Sequence, residues 1–188
     1  MELQLSRHNW PTLRTPKGNA SLIPHLIQDL LNSENHESAE AAGARIEDIL
    51  FANGLLCEAS LAVAECMVHA LWKCPDAAIP FALNILIDIA DGSVTEADPD
   101  FLGKVRYADC MSAVALGFPA YVEILDSETD ASTRAICIDL ICSSGVFLER
   151  IRNQAIYYLT QVLKQPSMLD YRILIENSLR ALAKPEDT

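Results

Sequence analysis

Carboxylates at helical spacing in an apolar stretch are the residues of this chain whose types and positions could do chemistry. Asn84, Asp88 and Asp91 follow one another at steps of four and three, and they are the polar positions between Ile79 and Asp91. Such steps place side chains on one face of a helix. Carboxylates there could bind a cation, accept hydrogen bonds from arginine, or transfer a proton.

More acids crowd the two turns that follow this stripe, Gly92–Pro99 and Asp126–Asp130. If helical hairpins stack, consecutive turns lie on neighbouring edges, so we expect these acids to extend the stripe into one surface. The candidate partner-binding residues are Asn84, Asp88, Asp91, Glu96, Asp98, Asp100, Asp126, Glu128 and Asp130. A negative surface also serves simply to keep a protein dispersed, and the sequence leaves that interpretation open.

The negative charge is concentrated in the middle third of the chain. The net formal charge is −12, with −4 in residues 1–73, −9 in residues 74–133 and +1 in residues 134–188. No Lys or Arg occurs between Lys73 and Lys104. Such a zone repels phosphates and speeds association with a basic protein. We therefore expect a protein partner and no nucleic-acid binding.

The sequence lacks the usual motifs of catalysis and cofactor binding. It has no G-x-S-x-G, no glycine-rich phosphate loop and no H-E-x-x-H. Cys66 and His69 lie beside Glu65, but a structural zinc site needs four ligands, usually in paired short spacings. Asp88 and Asp91 could do acid–base work only inside a pocket that tunes them. We expect no metal, no cofactor and no enzymatic activity.

Two helices with almost no loop between them position the stripe. The period of the apolar residues predicts the first over Cys57–Lys73, with Trp72 on its apolar face. Pro75 breaks it. Asp76 is the expected N-cap of the second helix, Ala77–Asp91, which the next residue, a glycine, ends. The second helix is apolar on nearly all sides, so other helices must cover it.

Similar periods predict helices along the rest of the chain and no persuasive strand. The expected helices are Ser21–Leu31, Ser38–Ala52, Asp100–Leu116, Pro119–Leu125, Ala131–Cys142, Val146–Lys164 and Met168–Ala183. We expect Ser38 to cap the second of these, and Gly145 to separate the helices on either side of it.

The whole chain, residues 1–188, is predicted to form a single all-helical domain of about nine helices with short connections. Residues 1–18 are expected to be an irregular lead-in that packs through Leu5 and Trp10, and residues 184–188 a frayed tail.

Cysteine usage and the absence of long apolar runs predict the compartment. The six cysteines form no C-x-x-C pair and fall mostly in helical patterns, so we expect reduced core thiols. No apolar run reaches the roughly 18–20 residues that a membrane span needs. The first residues lack the basic-then-apolar order of a secretory signal. These observations predict a cytoplasmic protein.

A resemblance to a known family starts at Asn53. The segment Asn53–Ser60, with the sequence NGLLCEAS, is followed by a helix and then by Ala78-Ile79-Pro80-Phe81. This pattern resembles small bacterial HEAT-like repeat proteins over residues 38–92. The resemblance implies an α-solenoid, a short right-handed stack of about four helical hairpins. A compact irregular helical bundle is the alternative architecture.

Many such HEAT-like proteins are similar to immunity proteins that neutralise a cognate toxin, and the resemblance implies no cofactor or catalytic residue. Together with the acidic zone, it predicts a non-catalytic protein that captures a basic toxin domain, such as a nuclease, and blocks its active site. The alternative is a scaffold or adaptor whose exposed apolar helix edges drive homo-oligomerisation. Salt separates the two, because charge-steered association weakens with ionic strength and apolar association does not.

Overall fold

The computed structural model of the protein describes residues 1–95, 102–127 and 130–184, which divide into two compact units. The first unit is Met1–Val114 and the second is Ala115–Thr188. The described residues contain ten α-helices and one hairpin of two short strands, so the all-α class is confirmed.

The first unit opens with short elements that contribute to its core. Helix α1 (Glu2–Leu5) and a 3₁₀ turn precede a hairpin in which β1 (Arg14–Thr15) runs antiparallel to β2 (Gly18–Asn19). Leu5 and Trp10 are buried as predicted, and the Trp10 indole N–H donates to the Leu5 carbonyl at 2.8 Å. The expectation of an irregular lead-in without strands is wrong, because Gly18 adopts a φ of +118° and lets the chain fold back.

Longer helices form the rest of the first unit. They are α2 (Ile23–Leu31), α3 (His36–Leu50), α4 (Ala59–Leu71), α5 (Ile79–Asp91) and α6 (Tyr107–Ala115). Helix α2 packs against α3, and α4 packs against α5. The two pairs also meet each other, α3 against α5 and α2 against α4. The core of the unit lies between these four helices.

The structure corrects two predicted helix starts and part of a third predicted helix. Asn35, not Ser38, caps α3, because its side-chain oxygen accepts a hydrogen bond from the Ser38 N–H at 2.9 Å. Asp76 does not cap α5 but begins a 3₁₀ turn, after which α5 starts at Ile79. The predicted start of the helix Asp100–Leu116 lies outside the described residues; within them Gly103 has a φ of +74°, and α6 begins at Tyr107.

Helix α5 is buried on most of its surface, as its apolar sequence predicts. Its buried residues are Ala82, Leu83, Ile85, Leu86, Ile89 and Ala90. Helix α4 differs from the prediction at its end, where Leu71 is buried and Trp72 is 57% exposed. The buried face of α4 is centred on Val63, Met67 and Ala70, so Trp72 does not lie on the buried face as predicted.

The second unit is built around one helix. It contains α7 (Phe118–Ser127), α8 (Ala131–Phe147), α9 (Glu149–Val162), a 3₁₀ segment (Pro166–Tyr171) and α10 (Arg172–Ala183). Helix α8 packs against α7, α9 and α10, and its Ile138, Leu140 and Ile141 are fully buried. It is therefore the core helix of this unit.

Gly145 does not end a helix, contrary to the prediction. Helix α8 runs through it to Phe147, and the break falls at Leu148. A Cβ at Gly145 would lie 2.7 Å from Leu182 Cδ2 and 2.8 Å from Ala155 Cβ, so the glycine lets α9 and α10 approach α8. Arg152 donates hydrogen bonds to the carbonyls of Gly145 and Val146 and so satisfies the end of α8.

The cysteines are mainly core residues. None of the six, all of which lie in the described residues, forms a disulfide bond; Cys57, Cys66, Cys110 and Cys137 are buried, and Cys74 and Cys142 are half-buried. Burial raises the pKa of the Cys66 thiol to about 12, which keeps it protonated at neutral pH.

Within the described ranges, no single helix combines the length and the apolarity needed to cross a membrane. Helices α6 and α7 pass that test of length and composition only when taken together.

Candidate functional site

Helix α5 brings the predicted polar stripe to the surface of the first unit. Asp88 and Asp91 are exposed and Asn84 is half-buried, while the opposite face of the helix lies in the core. Since an apolar helix leaves its polar positions at the surface, this placement follows from the sequence. The prediction that these polar positions share one face of the helix, at the surface, is therefore confirmed.

A fourth side chain, Glu47 of α3, lies beside the stripe. A cleft of about 340 Å³ is lined by Glu47, Phe51, Gly54, Asp88, Asp91 and Gly92. Glu47 lies on α3 and Phe51 directly follows the end of that helix, and both reach the cleft because α3 packs directly against α5. The cleft thus combines three carboxylates with one aromatic wall.

The two loops at the cleft are joined through their backbones. The Leu56 N–H donates to the Ser93 carbonyl at 2.8 Å, and the Ser93 N–H donates to the Gly54 carbonyl at 3.0 Å. A Cβ at Gly92 would lie 2.5 Å from Leu56 Cδ2, so this close approach requires glycine. The glycines that end α5 and follow α3 therefore also shape the cleft.

The carboxylates of the cleft disfavour one another's charge. Burial and, to a smaller extent, the Asp88 charge raise the pKa of Glu47. Partial burial of the otherwise exposed Asp88 carboxyl and the charge of Asp91 raise the pKa of Asp88. In the part of the chain that the structure describes, no Lys or Arg pairs with any of the three. A cation from outside would relieve this repulsion.

The geometry favours a cationic side chain over a bare metal ion. Among the described residues, no three His, Cys, Asp or Glu side chains lie close enough together to hold one metal ion, and this includes the cleft carboxylates. Phe51 offers an apolar wall next to them. The aliphatic stem of Arg or Lys can lie on such a wall while its charged end reaches carboxylates.

The other described candidates, Asp126 and Asp130, lie in the second unit and have partners there. Asp126 accepts a hydrogen bond from the Tyr158 hydroxyl at 2.8 Å. Asp130 is the N-cap of α8 and accepts from the Thr133 N–H at 2.9 Å and the Ser132 hydroxyl at 2.6 Å. These hydrogen bonds lower the pKa of Asp130 from 3.8 to about 2. Both side chains are exposed.

The remaining candidates cannot be placed next to the cleft. Glu96, Asp98, Asp100 and Glu128 lie outside the described residues. The structure therefore brings together Asn84, Asp88 and Asp91 on one helix face, and it places Asp126 and Asp130 on a different unit. The partner-binding role of the nine residues stays a prediction.

Glu47 and Phe51 were missed by reasoning from the sequence. They follow the buried residues Ile46 and Leu50 by one position each, which places them at the flank of the buried face of α3. That flank was recognisable from the helical period. Nothing in the sequence indicated that it meets α5, because the two helices are separated by α4.

The cleft is acidic and open, it has one aromatic wall, and no Lys or Arg of the described residues pairs with its carboxylates.

No family model, curated protein or solved structure matches this chain.

Proposed function

We propose that this chain is a non-catalytic protein-binding module, an immunity protein that captures a cognate basic toxin domain in the cytoplasm. The observation that carries the proposal is the cleft of Glu47, Asp88 and Asp91, whose carboxylates have no Lys or Arg partner in the described residues. A toxin that acts on nucleic acid has a basic active site, and clustered carboxylates mimic the charge of its substrate.

The proposed mechanism is occlusion of the toxin's active site by charge pairing. An Arg or Lys of the toxin enters the cleft, with its stem on Phe51 and its charge at Asp88 and Asp91. Once water is excluded, such charge-assisted hydrogen bonds are about twice as strong as neutral ones. Removing one partner from a buried pair of this kind costs about 2–5 kcal/mol of binding free energy.

The packing of the first unit supports a HEAT-like arrangement for this role. Two consecutive helix pairs meet with first helix on first helix and second helix on second helix. This is the contact pattern of stacked hairpins. In such stacks the second helix of each pair commonly lines the concave side, and the stripe lies on α5, a second helix. We propose a short α-solenoid on this basis, with a compact bundle as the alternative.

Growth rescue tests the proposed function. The open reading frame next to the gene for this chain, whose product is the proposed toxin, is expressed with the wild type, with an Asp88→Asn/Asp91→Asn variant, and with a Glu123→Gln/Asp170→Asn control. The control removes the same net charge at exposed positions outside the cleft. We expect growth with the wild type and the control, and loss of growth with the cleft variant. Equal rescue by all three proteins, or no rescue by the wild type, contradicts the proposal.

A further inference from the structure

One face of α9, continued by Lys164 in the turn that follows the helix, carries polar side chains with almost no partners among the described residues. Arg150, Asn153, Gln154, Tyr157, Gln161 and Lys164 fall within about 100° of arc at the helical step. Ala155, Leu159 and Val162 on the opposite face are buried in the second unit. Apart from a Lys164–Gln161 contact at 3.3 Å, these six side chains make no hydrogen bond or ion pair within the described ranges. They are called the α9 face below.

The α9 face has residue types that are common in protein–protein interfaces, and its charge suits a partner with acidic side chains. Tyr157 is 69% exposed, and Tyr and Arg are the residue types that most often dominate binding energy at interfaces. No Asp or Glu occurs from Arg150 to Leu169. Residues 131–184 contain seven Lys or Arg and four Asp or Glu, a net charge of +3 in a chain of −12.

We infer that the α9 face binds the acidic cleft of a second copy of this chain. The cleft holds three carboxylates without a described Lys or Arg partner, and the α9 face offers two cations, amides and a tyrosine without an acid. Each surface supplies the charge that the other lacks. Because the two surfaces differ, the contact is head-to-tail rather than symmetric.

The net charge of −12 makes two copies repel each other. Screening by salt determines whether this repulsion exceeds the attraction between the cleft and the α9 face. At physiological ionic strength the Debye length is about 8 Å, so charges farther apart repel only weakly. Opposite charges in direct contact at the cleft are screened much less. The inference uses the cleft described above but does not depend on the existence of a toxin. A second copy bound in the cleft would compete with a toxin for the same carboxylates.

A mixing experiment tests this contact. Arg150→Gln/Lys164→Gln neutralises the α9 face and leaves the cleft intact; Asp88→Asn/Asp91→Asn neutralises two carboxylates of the cleft and leaves the α9 face intact. Analytical ultracentrifugation over a concentration series at about 0.1 M salt measures self-association. We expect the wild type to self-associate, each variant alone to lose association by more than about tenfold, and an equimolar mixture of the two variants to form a 1:1 heterodimer.

Several outcomes would overturn the inference. They are a wild type that stays monomeric throughout the series, variants that still self-associate, or a mixture that forms no heterodimer although circular dichroism shows both variants folded. A Lys73→Glu control, which reverses an exposed charge on the first unit, should associate like the wild type. Single-stranded DNA that binds the wild type but not the α9 variant, without self-association, would assign the face to nucleic acid instead.

The toxin assay separates this inference from the proposed function. The α9 variant keeps Glu47, Asp88 and Asp91, so it should still rescue growth if the immunity proposal holds. Rescue without self-association contradicts only the contact between copies. Self-association without rescue contradicts only the immunity function.

Discussion

At the scale of single residues, the charge of Asp88 is expected to favour binding of a cationic partner but to destabilise the folded protein. Its pKa is raised by burial and by Asp91, and its own charge raises the pKa of Glu47. A carboxyl whose pKa is higher in the folded state than in the unfolded state stabilises the fold only while it is protonated. This contribution is present at low pH and is lost as the pH rises through the folded-state pKa.

Replacing Asp88 by Asn should therefore raise the stability of the isolated protein at neutral pH. The amide cannot ionise, so the repulsion within the cleft decreases, and thermal unfolding followed by circular dichroism should show a higher Tm near pH 7. The gain should vanish near pH 3, below the ordinary carboxyl pKa of 3.8, where the wild-type side chain is also neutral. A Glu123→Gln control changes the net charge equally and should not show this gain; a lower Tm for Asp88→Asn would contradict the prediction.

Asp130 is expected to have the opposite pH dependence. Hydrogen bonds from Ser132 and Thr133 lower its pKa from 3.8 to about 2, so it stabilises the fold when it is ionised. That stability is present above the unfolded-state pKa and is lost as the pH falls toward about 2.

An Asp130→Ala variant should unfold at a lower temperature than the wild type at neutral pH, because α8 loses its N-cap. The difference in Tm between the two proteins should shrink between pH 4 and pH 2, in denaturation curves measured at several pH values. Asp130→Asn, which keeps a capping oxygen, should recover much of the stability but not the pH dependence. An unchanged Tm for the Ala variant would show that the cap contributes nothing.

At the scale of elements, glycine shows how one residue type serves different purposes. Gly54 and Gly92 follow helices, as their sequence context predicts, and their loops pair to shape the cleft. Gly145 looked like a helix breaker, but it lies inside α8 at a close approach to two other helices. The helical period alone could not separate a stop from a contact, since both use the missing side chain.

Gly145→Ala should destabilise the protein, although Ala normally gains about 1 kcal/mol over Gly inside a helix. The new Cβ would lie 2.8 Å from Ala155 Cβ, which cannot move without α9, and overpacking of this kind costs about 1–3 kcal/mol. Urea denaturation measures the difference. Adding Ala155→Gly should recover part of the loss, whereas Ser143→Ala, in the same helix, should be close to neutral; a more stable Gly145→Ala protein would contradict this account.

At the scale of the whole molecule, the uneven charge should govern the rate of partner binding. Residues 74–133 carry −9 of the total charge of −12. A concentrated negative potential attracts a basic protein over a distance of about a Debye length, which raises the association rate at low salt.

For the proposed complex with a toxin, we expect the association rate to fall at least about tenfold when salt is raised from low to physiological concentration or above. The dissociation rate should change much less, because contacts within the formed complex are partly shielded from solvent. Stopped-flow fluorescence of labelled toxin measures both rates. A rate independent of salt would show that the acidic zone has no steering role and only keeps the protein dispersed.

The features of this protein that depend on local spacing and composition were predictable from its sequence. The period of the apolar residues predicted the helices and the all-α class, and the spacing of Asn84, Asp88 and Asp91 predicted a surface stripe. Helix ends were less predictable: Asn35 rather than Ser38 caps α3, because both residues can cap and only the backbone geometry chooses between them.

The contacts between residues that are distant in sequence became known only from the folded chain. Glu47 and Phe51 line a cleft beside the stripe, and Asp126 accepts a hydrogen bond from Tyr158. Asp130 caps α8, and α9 and α10 pack against α8 at Gly145. The physical reason is that a helix face is set by neighbours three and four residues away along the chain. The match between two faces depends instead on the packing of helices that are far apart in sequence, such as α3 and α5.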